Sequence, residues 1–181
     1  MASFQDKVSL FGAKTHLVSF NSADITSEHI LWLNDISITK YSNQRFLNHD
    51  KVSCENYLNS FKGTSNIFLS IRRINDDKRI GSLTVYRDLN HKTADIGILI
   101  GDKNTWGQGF AYDAMSTIIQ YLEDDKDIRK ITCGTSSKNI AMINVAHKIG
   151  MVFDGIRYNQ ELIEGQSEHV LFFAKYINNY N

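Results

Sequence analysis

At 181 residues, 42% of them hydrophobic and 22% charged, the chain is sized for one domain with a full core. Its 20 basic residues balance 20 acidic ones, which excludes the broad cationic field that holds nucleic acid or an anionic membrane non-specifically. The two cysteines, Cys54 and Cys133, lie far apart and the six histidines include no HExxH, so neither a disulfide framework nor a metal centre is expected.

In chain order, residues 1–13 are expected to form a flexible tail. Thr15–Phe20 alternates as a half-buried strand does, and Asp24 is the expected N-cap of a helix running through Ile30, Leu31 and Leu33. A polar connector, Tyr41 to Asn48, leads to a second cap at Asp50, after which Cys54, Tyr57, Leu58 and Phe61 repeat at helical spacing. The period then changes to two. Ile67, Leu69 and Ile71 share one side of a strand, a turn at Asn75–Lys78 returns the chain through Ile80–Tyr86, and a turn around Asn90 and His91 leads into Ala94–Gly101. That meander is followed by a glycine-led helix carrying Ala114, Ile118, Tyr121 and Leu122. A strand at Lys130–Gly134 comes next, then a helix over Asn139–Lys148 stopped by Gly150. Two strands, Met151–Leu162 and Glu168–Tyr176, complete the order β-α-α-β-β-β-α-β-α-β-β. The expected architecture is an α/β (α+β) mixed sheet of about seven strands flanked by four helices, one domain over residues 1–181. The apolar runs are only strand-sized and no leader precedes them, so a cytoplasmic protein is expected.

The stretch ILIGDKNTWGQGFAYDA carries the chemistry. An apolar strand ends, a polar loop follows, and Gly107 and Gly109 enter a helix whose unpaired N–H groups suit an anion. Glycines also close turns that bind nothing, so the pattern alone leaves anion binding open. It is neither a dinucleotide fingerprint, since Tyr112 stands where a third small residue is wanted, nor a P-loop, since no GK[ST] follows.

Trp106-Gly107-Gln108-Gly109-Phe110-Ala111 resembles the Q/R-x-x-G-x-G/A signature of GNAT acetyltransferases, with Trp first as in the branch that acetylates ribosomal-protein N-termini. Asn139, then His147-Lys148-Ile149-Gly150-Met151, then Asp154-Gly155-Ile156-Arg157, is similar to that branch's N-x-x-S…E-K-x-G-F…E-G-x-R pattern at the same spacing. The resemblance implies acetyl-CoA as co-substrate. Its pantetheine would pair with the backbone at Ile98, Leu99 and Ile100, and its pyrophosphate would take the amides from Gly107 to Ala111, with Asn139 as a further contact. Asn139 also reads as a plain helix cap. Amides near Leu99 and Ile100 are the implied oxyanion donors. Asp95, at a position where relatives carry an acid, is the candidate base, or else a solvated strand residue paired with a cation. Two departures stand out: Ala146 replaces the tyrosine acid of many members, and Met142 replaces the serine of the N-terminal-alanine branch. His147, beside Ala146, fits a surface position better than an acid.

The loop Tyr41-Ser42-Asn43-Gln44-Arg45-Phe46 is the expected acceptor site, with Gln44 and Arg45 as substrate contacts. Arg45 suits a phosphate or carboxylate, or equally a salt bridge pinning the loop. The run WLND…KYSNQRF…SCENYL resembles members associated with bacterial surface-polysaccharide synthesis, which implies an amino sugar on a nucleotide as acceptor. A protein N-terminus or another small amine is the alternative acceptor, and a non-catalytic acyl-CoA-binding module the alternative class. Homodimers are a family expectation.

Overall fold

The computed structural model describes residues 8–177. Eight strands form one sheet in the order β1-β2-β3-β4-β5-β6-β8-β7. They are β1 (Ser9–Phe11), β2 (Thr15–Ser19), β3 (Ile67–Arg73), β4 (Arg79–Asp88), β5 (Thr93–Ile100), β6 (Lys130–Ser136), β7 (Val152–Ile163) and β8 (Gln166–Tyr176). Every neighbouring pair is antiparallel except β5 and β6, which run parallel. Among the described residues five α-helices accompany the sheet: α1 (Ser27–Asn34), α2 (Ile36–Thr39), α3 (Lys51–Asn59), α4 (Phe110–Glu123) and α5 (Ile140–Lys148).

The two-residue period of the strands divides the side chains between two faces. Leu69, Ile71, Leu83, Val85 and Ile96 pack with Met115, Ile118 and Leu122 of α4 in the larger core. Phe20, Ile25, Cys54, Phe61 and Phe68 form a second cluster with α1 and α3 on the other face. Because helices cover both sides, Ile67 through Ile71 are buried without interruption. Cys54 and Cys133 are free, buried thiols, one in each core.

The expected tail is overturned from Ser9 onward: Ser9–Phe11 pairs with β2, adding an eighth strand, while residues 1–7 lie outside the described ones. The N-cap of α1 is Thr26, whose hydroxyl accepts from His29 N at 3.2 Å. Asp24 instead closes a 3-10 turn with Asn21 and is drawn inward, accepting from Ser70 Oγ and Arg72 Nη2. A buried carboxylate next to a guanidinium stays with its partner rather than capping a solvent-exposed helix end. The fifth helix, α2, is a single turn capped by Asp35.

Candidate active site

The site originates in the pairing of β5. Its parallel ladder with β6 covers only Thr93–Asp95 against Lys130–Thr132, although β5 continues to Ile100 and β6 to Ser136. Beyond Asp95 the two strands part, and β5 keeps a partner only on its β4 side, in continuous register from Asp88↔Thr93 to Gly81↔Ile100.

The parity of the open edge follows from the ladder. Gly101 N donates to Ile80 O at 2.8 Å, and the Leu99 carbonyl lies so close to Gly81 that a Cβ there would meet it at 2.2 Å. In antiparallel pairing these directions alternate, so Leu99 and Gly97 turn their backbone groups to β4 while Ile96, Ile98 and Ile100 turn theirs to the opening. This corrects the expectation that Leu99 supplies a free amide: its N–H is on the β4 side. The Ile100 carbonyl is also taken, by Trp106 Nε1 at 3.0 Å. Ile96 N–H closes the parallel ladder on the Thr132 carbonyl, so the Ile96 C=O and the N–H and C=O of Ile98 are left aimed into the split, where an extended amide chain can pair with them.

At one end of the split lies the glycine turn. Gly107 and Gly109 sit at φ 73° and 85°, in the left-handed region where a side chain is strained. Gly109 is the N-cap of α4 and makes no side-chain cap bond, so the amides that follow it have no local side-chain acceptor. The preceding loop is tied down by its own contacts. Asp102 is buried and accepts from Asn104 N and Lys78 Nζ, Gln108 Nε2 donates to Asn104 O, and Gly101 lies flat against Trp32 of α1, where a Cβ would come within 2.0 Å of the ring. Lys14, which the sequence did not single out, donates from Nζ to Gln108 O at 2.7 Å and brings a cation to this turn.

On the α1–α3 side the split opens into a cleft of about 730 Å³. Gly97, Ile98 and Leu99 line it from β5, Asn139 and Met142 from α5, Gln44 from the expected acceptor loop, and His29 and Tyr57 from α1 and α3. No Asp, Glu, Lys or Arg is among the described residues lining it. Tyr57 places its hydroxyl 2.6 Å from that of Tyr86, and burial first, then Tyr86, push its phenol above the ordinary range, so it remains a neutral hydrogen-bonding group. Asn139 does cap α5, accepting from Met142 N at 3.3 Å, and also donates from Nδ2 to Thr135 Oγ1 at 3.0 Å.

Asp95 stands at the vertex where β5 and β6 separate. It shares its face with Gly97 but does not itself line the cleft, and Thr132 Oγ1 donates to its Oδ1 at 2.6 Å. The residue keeps solvent contact, yet its carboxyl is crowded by protein atoms. That desolvation raises its pKa above the ordinary aspartate value, opposed in part by the Thr132 hydrogen bond.

Arg45 points elsewhere. Its guanidinium donates to Ser42 O at 2.8 Å and Leu162 O at 3.3 Å, lies 3.7 Å from Glu161 and stacks 4.3 Å over Phe46. It pins the loop to β7, as the salt-bridge reading had it, and is absent from the cleft lining. Arg45→Ala is therefore expected to lower the thermal midpoint and leave the acceptor KM within about twofold, because surplus loop mobility is its main effect. Steady-state kinetics beside a melting curve check this. His147 is exposed, its ring edge on Phe173, and Ala146 is fully buried.

The GNAT acetyltransferase domain model matches residues 15–152, and the chain belongs to that family. No curated protein sequence matches it. Among solved structures it is similar to RimL, a ribosomal L7/L12 alpha-N-protein acetyltransferase in complex with coenzyme A, at 16% identity and TM-score 0.81, covering 92% of this chain and 96% of that one. It is also similar to spermidine N-acetyltransferase from Vibrio cholerae, in complex with CoA and spermine, at 18% identity and TM-score 0.80, covering 92% and 97%. A third likeness is to the microcin C7 self-immunity acetyltransferase MccE, in complex with acetyl-CoA and AMP, at 20% identity and TM-score 0.78, covering 91% and 93%. At these identities the likeness is one of fold. No group of acidic, histidine or cysteine side chains that could hold a metal occurs among the described residues, and no described helix is long and apolar enough to cross a membrane.

Proposed function

We propose that the protein transfers the acetyl group of acetyl-CoA to the primary amine of an amino sugar, by direct attack of the amine on the thioester. The observation that carries this reading is the cleft itself: an open strand edge and a left-handed glycine turn at one end, and an uncharged wall of hydroxyl, amide and imidazole groups at the other. Pantetheine N–H groups pair with the carbonyls of Ile96 and Ile98, and the pyrophosphate meets the amides after Gly109 with Lys14 beside them. The Ile98 amide then replaces Leu99 as the expected oxyanion donor.

The wall argues for the acceptor class. A polyamine carries several ammonium groups and would want carboxylates, which the lining lacks. A sugar ring presents hydroxyls, which Gln44, Asn48, Ser53 and Thr84 match. A nucleotide carrier would leave through the cleft mouth, since Arg45 is committed to the loop.

Asp95 serves as base through water. It lies two residues from Gly97 along the strand, about 6.6 Å at the rise of a β-strand, which is one bridging water's reach and too far for direct contact. With alanine at position 146, the leaving thiolate takes its proton from solvent; a thiol's ordinary pKa of about 8.5 makes that step easy.

The test is the thermal midpoint with rising acetyl-CoA, with NADH and ATP as controls. Acetyl-CoA at a hundred times its Kd is expected to add about 2.7 kcal/mol of stability. Mass spectrometry of amino sugars, spermidine and N-terminal peptides incubated with acetyl-CoA then identifies the acceptor. Acetylation of spermidine or peptide in preference to every amino sugar would reject the acceptor class, and no shift with acetyl-CoA would leave the fold without the activity.

A further inference from the structure

Two buried polar atoms lie unpartnered beneath the acceptor wall: Nδ1 of His29 and Nη1 of Arg79. Both residues are more than nine-tenths buried, and they share the same aromatic housing. The Arg79 guanidinium lies 4.8 Å from the Trp32 ring and 5.8 Å from Phe20, while the His29 ring is 6.4 Å from Trp32 and 5.2 Å from Phe20. Arg79 Nη2 donates to Thr26 Oγ1 at 3.0 Å, which leaves Nη1 a donor without an acceptor. His29 also lines the cleft, and Arg79 does not. An unmet donor and an unmet ring nitrogen buried in one aromatic housing are a costly arrangement unless a water bridges them.

We infer that His29 is a specificity-determining residue of the acceptor site. With the Arg79 donor bridged to it by water, Nδ1 keeps its lone pair and the proton sits on Nε2, from which the imidazole donates a hydrogen bond to an oxygen of the acceptor. Arg79 is the positioning residue behind it. The inference rests on the reading that the acceptor occupies this cleft, and it deepens that reading: the group recognised there is a hydroxyl, ether or carbonyl oxygen, not a second ammonium.

The charged and titratable neighbours agree with a neutral ring. Arg79 from β4 and His49 from the segment before α3 act on the His29 ring, and Arg79 in turn feels Asp24, Glu28, Arg72 and Cys54, with the Asp24 carboxylate engaged by Arg72 and Ser70. Burial, then Arg79, then His49 lower the His29 pKa to about 4.

Long-range ¹H–¹⁵N spectra of the labelled protein read the tautomer with no substrate needed, His29→Gln supplying the assignment. The expected result is an imine-like Nδ1 and a protonated Nε2, unchanged between about pH 5 and 8, where an ordinary histidine titrates. In Arg79→Met the His29 pKa is expected to rise, with burial still holding it below the ordinary histidine value. A protonated Nδ1, or a wild-type ring that titrates within the interval, overturns the inference. With the acceptor in hand, His29→Phe is expected to raise its KM about ten- to a hundredfold while the Kd of acetyl-CoA stays put; an unchanged KM overturns it too. If no amine is acetylated, the spectra still decide the tautomer, so failure of the enzyme reading and failure of the His29 assignment are separable.

Discussion

Asp95→Asn is expected to lower kcat by about a hundred- to ten-thousandfold, the usual contribution of a positioned base, while the acetyl-CoA affinity is retained. Asparagine has the same shape and still offers Thr132 Oγ1 an acceptor oxygen, so the vertex of the split should not move. The co-substrate is to be held by the backbone of Ile96, Ile98 and the Gly109 turn, none of which this change touches. The expected stability effect has the opposite sign. A carboxyl whose folded pKa is raised by desolvation favours the folded state only while protonated; that contribution is full below the ordinary aspartate value and is lost as pH rises through the raised one. At neutral pH the carboxylate therefore works against folding, and the neutral amide is expected to match or exceed the wild-type thermal midpoint. Less activity together with equal or greater stability is the pattern of a group kept for chemistry. The pH–rate profile gives a second check, because the wild-type rate should fall on the acid side as Asp95 protonates, and the variant should lack that limb. Normal turnover by Asp95→Asn would mean that solvent alone takes the proton and that Asp95 is a strand residue paired with Thr132.

The residues whose type admits one conformation were legible in advance. Gly107 and Gly109 occupy left-handed backbone that few other residues tolerate, and the turn before β8 falls at Glu164 and Gly165, both at positive φ, inside the gap expected between the strands ending at Leu162 and starting at Glu168. The alternation of Ile67, Leu69 and Ile71 likewise put the three on one side of β3, and that side packs in the core that holds α4. What escaped depends on partners distant in sequence. Whether Ile98 or Leu99 offers its amide to the split is set by the β4–β5 register, and a one-residue shift would reverse it. Arg45 reads as an anion ligand until Glu161 and the Leu162 carbonyl arrive from β7. Asp24 satisfies every local rule for a cap, yet Arg72 claims it. His29 and Arg79 lie 50 residues apart in sequence and share a site only because α1 crosses the start of β4.

The same distance dependence explains why Ser9–Phe11 is a strand, and it leads to the largest expected stability loss. Asp113, in the first turn of α4, accepts hydrogen bonds from Ala13 N, Lys14 N and Thr15 N at 2.9, 3.0 and 2.8 Å and from Thr15 Oγ1 at 2.6 Å. Those four bonds fix the turn between β1 and β2 across nearly 100 residues of sequence. Gly12 precedes them because a Cβ there would stand 2.3 Å from the carboxylate. Asp113→Ala strips the acceptor from three amides and is expected to cost about 3 kcal/mol or more, read from the urea midpoint at neutral pH. The pH dependence identifies the cause. Burial by itself would raise the Asp113 pKa, but the Thr15 hydroxyl and the three amides outweigh it and hold the group below the ordinary range. A depressed folded value contributes stability that is full above the ordinary aspartate pKa of about 3.9 and disappears as pH falls through the folded one. The gap between wild type and Asp113→Ala should therefore be widest at neutral pH and close as the solution is acidified below that point. A gap independent of pH would assign the loss to packing instead. Because Lys14 leaves this turn to reach Gln108 O, the variant should also bind acetyl-CoA more weakly at temperatures far below its melting point. An unchanged Kd there would detach Lys14 from the pyrophosphate turn and leave the anchor purely structural.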